Sequence, residues 1–134
     1  TCWEKSRLES SNEIIVNNIL LAVKENLTEY TVPENVVSIG SGVFYDNTVL
    51  EKITLNSRVE AIGNYAFSGC SSLTKLPSSV KKIGYAAFNG CTKLELSVNS
   101  GVEEIGQDAF LDVEQLAYDG KLTGSPWGAK SIKE

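Results

Sequence analysis

The chain has 134 residues, 42% of them hydrophobic and 22% charged, with a net charge of −5. That is one globular domain, neither disordered nor suited to nucleic acid, which attracts clustered Lys and Arg. It has no His, so the commonest general base, the Ser-His and Cys-His pairs and every His-bearing zinc site are excluded.

The chain also has no Met, so it reads as a processed product or a piece of a longer polypeptide. No apolar run approaches the roughly 18 residues that a membrane span needs, so no membrane insertion is expected. Thr1-Cys-Trp-Glu4 has capping-box spacing, with Thr1 as N-cap and Glu4 reaching back. With Trp3 and Leu8 it predicts a short helix covering the segment that follows. Ile14 to Val23 reads as two short strands around Asn17-Asn18, because Asn tolerates the left-handed conformation of a two-residue hairpin turn. Asn26-Leu-Thr28 is a glycosylation sequon, meaningful only in a eukaryotic secretory host. Glu29 to Val32 leads into Pro33.

From there an internal repeat dominates. The four Phe residues, Phe44, Phe67, Phe88 and Phe110, are spaced by 23, 21 and 22 residues. Four residues before each stands Gly40, Gly63, Gly84 or Gly106, directly after Ile39, Ile62, Ile83 or Ile105. Three residues before each Ile is Val36, Val59, Val80 or Val102, and six residues after each Phe is Leu50, Leu73, Leu94 or Leu116. The shared pattern is V-x-x-I-G-x-x-[AV]-F-x-x-x-x-x-L. The V-x-x-I-G part predicts a short extended piece ended by a Gly that supplies a positive φ. The small residue before Phe lets a tight turn pack under the ring. The Leu then opens a strand, most clearly in Leu50-Glu-Lys-Ile53-Thr-Leu55, where Ile53 and Leu55 alternate inward. One such coil cannot bury its Phe, Ile and Leu alone, whereas stacked coils bury them as ladders. At the far end, Asp119-Gly120 and Gly124-Ser125-Pro126 are turn signals, and Trp127 shields the last coil.

The repeat wording resembles the BspA-like leucine-rich repeat family of bacterial cell-surface proteins, whose repeats read V-x-x-I-G-x-x-A-F-x-x-C-x-x-L. Ser57 to Leu73 matches it almost position for position, and the likeness runs strongly from Thr31 to Tyr118. Asn47 and Val113 depart from it where Cys70 and Cys91 agree. The resemblance implies an α/β solenoid, mostly β: a leucine-rich repeat right-handed superhelix of about four coils of 21–23 residues. It makes residues 1–30 an N-terminal cap of short helix and hairpin, 31–118 the array and 119–134 a short C-terminal cap. Thr1-Cys-Trp3 looks like a variant of the Thr-Pro-Trp segment that precedes the hairpin in similar arrays.

Cys70 and Cys91 occupy one repeat position on adjacent coils, close enough for a disulfide. The better reading makes both small buried fillers, and three free thiols are expected with Cys2. Cys2 is not the first residue and Thr1 is a poor neighbour for lipoprotein cleavage, so no lipid anchor is expected. Three cysteines without His are too few for a zinc site, and neither metal nor cofactor is expected. The carboxylates Glu60, Glu95, Glu103, Glu104, Asp108 and Asp112 do not predict glycoside hydrolysis. Stacked in register, Glu60, Lys81 and Glu103 form one column and Lys82 sits beside Glu104, which are alternating-sign ladders on a solvated face.

What remains is surface. The outward residues of the leucine strands, Glu51, Lys52, Thr54, Thr74, Lys75, Lys93 and Glu95, form the candidate contact face, with Lys52, Lys75 and Lys93 as the cationic contacts. The family resemblance implies a non-enzymatic adhesion module on a bacterial surface or outside the cell. Its partner would be a host or bacterial surface protein or glycan, and the module a monomer or part of a larger chain. A rigid spacer within a larger surface protein is the alternative.

Overall fold

Asn17 and Asn18 take φ of 51° and 65°, the left-handed pair that turns a hairpin between β1 (Glu13–Val16) and β2 (Ile19–Val23). The computed structural model describes residues 13–24, 26–74, 80–94, 96–98, 102–114, 116–118, 127–130 and 132–133. The cap helix expected around Thr1 to Leu8 lies outside these. Among the described residues every regular element is a β-strand.

The V-x-x-I-G pieces become two-residue rungs: β4 (Ser38–Ile39), β6 (Ala61–Ile62), β7 (Lys82–Ile83) and β9 (Glu104–Ile105). They pair in parallel and in register, Ile39 with Ile62, Ile62 with Ile83 and Ile83 with Ile105. The hairpin joins through Leu20 opposite Ile39, giving the sheet order β1-β2-β4-β6-β7-β9. Strands this short have no stability of their own; each inner rung is held by the one before and the one after.

The glycine that follows each Ile has a different reason from the one expected. None of Gly40, Gly63, Gly84 and Gly106 has a positive φ. They are needed because successive backbones nearly touch there: a Cβ on Gly63 would lie 2.6 Å from the Ser41 amide nitrogen. The left-handed residues instead stand two before and two after each Phe. Gly42, Tyr65, Ala86 and Asp108 hold the first position, and Asp46, Gly69, Gly90 and Asp112 the second.

Those two kinks bend the chain around the Phe ring and aim alternate N–H groups at the next repeat. Gly42 N donates to Asn64 O, Phe44 N to Ala66 O and Asp46 N to Ser68 O, at 2.7–3.0 Å. Phe67 N, Phe88 N and Phe110 N likewise donate to Ala87 O, Ala109 O and Trp127 O. The four rings stack nearly parallel with centroids 4.9, 5.3 and 5.7 Å apart. Tyr30 closes one end of the column at 5.7 Å, tilted, and Trp127 the other at 6.4 Å, edge-on.

The third ladder is the leucine side. β3 (Glu29–Thr31) pairs in parallel with β5 (Lys52–Thr54), and β8 (Leu96–Val98) with β10 (Leu116–Tyr118), which in turn pairs with β11 (Ile132–Lys133). Ile53 and Leu55 are buried and alternate with exposed Lys52 and Thr54. The repeat leucine does not open the strand in every copy. Leu50 and Leu94 lie two residues before their strands, buried at the end of the turn, whereas Leu116 is itself in the strand and pairs with Leu96. The register with β8 decides this: the last copy reaches its rung two residues sooner after Phe than the copy before it.

Candidate interaction surface

Lys52 and Thr54 point outward because β5 alternates and Ile53 takes the core position between them. Glu51 precedes the strand; its N–H donates to Thr28 O at 2.8 Å, and its carbonyl accepts from Thr74 N at 3.3 Å and Thr74 Oγ1 at 3.4 Å. The structure therefore gathers Glu51, Lys52, Thr54 and Thr74 on one exposed edge. Lys93 is a correction: it lies in the turn closed by Leu94 N on Cys91 O (3.1 Å), before the strand begins at Leu96. It is exposed, but it is not an outward strand residue. Lys75 and Glu95 lie outside the described residues. The repeat isoleucines face inward, with Ile39, Ile62 and Ile83 buried and Ile105 half-buried.

On the opposite ladder, Lys81 Nζ lies 3.9 Å from Glu60 Oε1, both side chains more than half exposed, and Lys82 pairs across the strands with Glu104. Solvent screens such pairs, so this face is a solvated one and adds little stability. Lys130 and Glu114 make a shorter pair, 2.6 Å, near the C-terminal end. Among the described residues no group of three His, Cys, Asp or Glu side chains gathers as metal ligands, and no helix is long and apolar enough to cross a membrane.

Cys70 and Cys91 are fully buried and unbonded. Their thiols donate to Phe44 O and Phe67 O, both at 3.1 Å, so each cysteine ties its turn to the preceding one. Asn47 fills the same position with amide bonds: Nδ2 donates to Leu27 O, and Oδ1 accepts from Val49 N and Leu50 N. Burial pushes the Cys70 thiol up to about 12, and the Cys91 thiol is raised by the same cause. The folded chain thus keeps protons that the unfolded chain releases near pH 8.5. Stability is level below that pH and falls above it, by as much as about 1.4 kcal/mol per pH unit for each thiol. Urea unfolding between pH 7.5 and 9.5 should show the fall, and Cys70→Ala with Cys91→Ala should flatten it. A parent chain with no pH slope in this range would remove the buried-thiol reading. Thiol titration of the denatured, unreduced chain should find three.

Two surface features escaped the repeat pattern. The first is a recess. Leu20 pairs with Ile39 and Glu29 with Lys52, so the chain between β2 and β3, within the expected N-terminal cap, pairs as a short first repeat and crosses from one sheet to the other in four residues fewer than the next. It has no Phe turn, and a recess of about 210 Å³ remains beside the Phe44 turn, lined by residues that include Lys24, Asn26, Tyr45 and Asp46. The second is a row of exposed rings. Tyr45, Tyr65 and Tyr85 are 56%, 42% and 41% exposed and meet edge to face at 6.4 and 5.4 Å. Local desolvation, then the phenols of Tyr85 and Tyr45, hold the Tyr65 hydroxyl above its usual range. The 20-residue spacing of these tyrosines was the available signal.

Residues 8–118 match the family model described as BspA type leucine rich repeat region, in six copies. No curated protein resembles the chain in sequence. Among solved structures, a leucine-rich repeat protein from Bacteroides ovatus superposes with a TM-score of 0.66 at 23% identity, over 84% of this chain and 36% of that one. The pneumococcal vaccine antigen PcpA gives 0.72 at 22%, over 90% and 34%. A leucine rich cell surface protein from Faecalibacterium prausnitzii gives 0.54 at 20%, over 90% and 48%. The chain thus spans between a third and a half of the length of these three proteins. At such identities they share its fold.

Proposed function

Because the chain belongs to the BspA-type leucine-rich repeat family, we propose that it is a non-enzymatic binding module of a bacterial surface or secreted protein, attaching to a protein or glycan. The observation that carries this is the geometry of the ladders: backbone pairing from one repeat to the next fixes rows of outward side chains on a rigid frame. Such frames serve as extended binding surfaces. The cell-surface protein among its structural neighbours supports the location, and the short share of each neighbour supports one module within a longer, right-handed superhelical array. The exposed Glu60–Lys81 pair, mixed in sign and well solvated, favours the second reading, a spacer.

Glu51, Lys52, Thr54 and Thr74, with Lys75 and Lys93, form the proposed contact for an anionic partner. A screen of extracellular-matrix proteins and anionic glycans, heparin among them, should retain the chain, with retention falling as salt rises. The triple variant Lys52→Glu, Lys75→Glu, Lys93→Glu should weaken that binding at least tenfold while melting like the parent. Undiminished binding would move the contact to the opposite ladder at Lys81 and Lys82. Retention by no member of the screen would leave the spacer reading.

A further inference from the structure

The exposed tyrosine row is placed by the fold and is not explained by it. Tyr45, Tyr65 and Tyr85 stand one after, two before and three before their Phe residues, so they are not one consensus position repeated. Their rings nevertheless converge into a continuous line across three successive turns. Tyr65 is the informative member. It holds φ of 59° at the kink where the other repeats place Gly42, Ala86 and Asp108. A bulky ring is an uncommon occupant of that conformation, and such strain often marks a functional position.

We propose that Tyr45, Tyr65 and Tyr85 form a binding track for a neutral, linear glycan. This goes beyond the module reading by adding a second surface with its own ligand class. Neighbouring rings are turned by 76° and 71°, so successive tyrosines offer a ring face and then a ring edge to sugar C–H groups, with hydroxyls for sugar oxygens, and they lose little freedom on binding. The ring centroids follow one another at 6.4 and 5.4 Å, so an extended chain can meet them in turn.

The surroundings select the ligand. A stable protein interface needs roughly 20–30 residues a side around an apolar centre. This row is one residue wide, with the exposed polar residues Asn64 and Gln107 at neighbouring turn positions. Nucleic-acid bases also stack on aromatic rows, but they require a cationic groove. Here Asp46 follows Tyr45, Asp108 holds the kink in the repeat beyond Tyr85, the position Tyr65 holds in its own, and the chain carries −5. At this row the same acidic side chains disfavour anionic polysaccharides, whose proposed contact is the lysine face. Tyr45 also lines the recess left by the short first repeat, so the track ends in a concave space bordered by Lys24, Asn26 and Asp46. These can bond the hydroxyls of a terminal sugar.

The test is affinity electrophoresis of the 134-residue chain in gels containing mannan, hydroxyethylcellulose or a soluble β-glucan, with heparin as the anionic control. At least one neutral polymer should retard the chain. Tyr65→Ala and Tyr85→Ala should each weaken that retardation at least tenfold, while Tyr65→Phe, which keeps the ring face, should weaken it less than threefold. Tyr65→Asn should melt no lower than the parent, because Asn tolerates the kink, and yet lose binding. The triple lysine reversal should leave neutral retardation unchanged. No retardation by any neutral polymer, or retardation of Tyr65→Ala and Tyr85→Ala equal to that of the parent, overturns the track. So does a lower melting midpoint in Tyr65→Asn, which would assign the ring to packing. Heparin and matrix-protein binding on the same samples decides the module reading separately.

Discussion

Replacing Phe67 by Ala should destabilise the chain by about 3–5 kcal/mol, the range for a buried aromatic. The ring has no exposed surface and sits between Phe44 at 4.9 Å and Phe88 at 5.3 Å. Its loss removes the transfer free energy of the side chain and opens a cavity. The turns on either side are pinned by backbone hydrogen bonds from Phe44 N to Ala66 O and from Phe67 N to Ala87 O, so they cannot collapse into it. Two stacked aromatic contacts go as well. The site is in mid-array, and each repeat touches only its neighbours, so the damage should also divide the ladder. Urea unfolding should show a lower midpoint and a broader transition than the parent. Tyr45→Ala, at a 56% exposed ring of similar size, should shift the midpoint little. A Phe67→Ala cost below about 1 kcal/mol, the common cost of an ordinary substitution, would mean the column is not the core.

The column was legible because every Phe recurs with Ile five residues before it and Leu six after, so stacking one copy on the next places like residues together. The hairpin was legible because Asn17-Asn18 is a local signal. What escaped depends on neighbours a full repeat away. The first repeat has no Phe, so the Phe count passed over it, although Tyr30 stands opposite Ile53 and closes the column. The left-handed kink before each Phe is occupied by Gly, Tyr, Ala and Asp in turn, with no residue type in common. Lys93 resembles a strand residue because a repeat leucine follows it, but Leu94 still belongs to the turn, and the rung starts at Leu96. The tyrosine row drifts through the repeat from copy to copy, and only the surface brings it into line.

The glycine after each isoleucine permits the second test. Gly63→Ala should cost about 3 kcal/mol, the upper part of the range for forcing atoms into a packed site. The added methyl carbon would lie 2.6 Å from Ser41 N, 2.8 Å from the Gly40 carbonyl carbon and 3.0 Å from Ile39 O. All three are backbone atoms of the preceding repeat, so no side chain can swing aside. Relief requires the rungs to separate, which weakens the bonds from Gly63 N to Ile39 O (2.8 Å) and from Gly42 N to Asn64 O (3.0 Å). Gly42 provides the contrast. It has φ of 69° and open space where a Cβ would go, so Gly42→Ala meets only the left-handed penalty of about 1–2 kcal/mol. Gly42→Asn should recover part of that, because Asn tolerates the conformation, while Gly63→Asn should be at least as damaging as Gly63→Ala. Denaturant midpoints of the four variants separate the two causes. If Asn rescued position 63 as it does position 42, the glycine there would be serving the turn and not the close approach of the backbones.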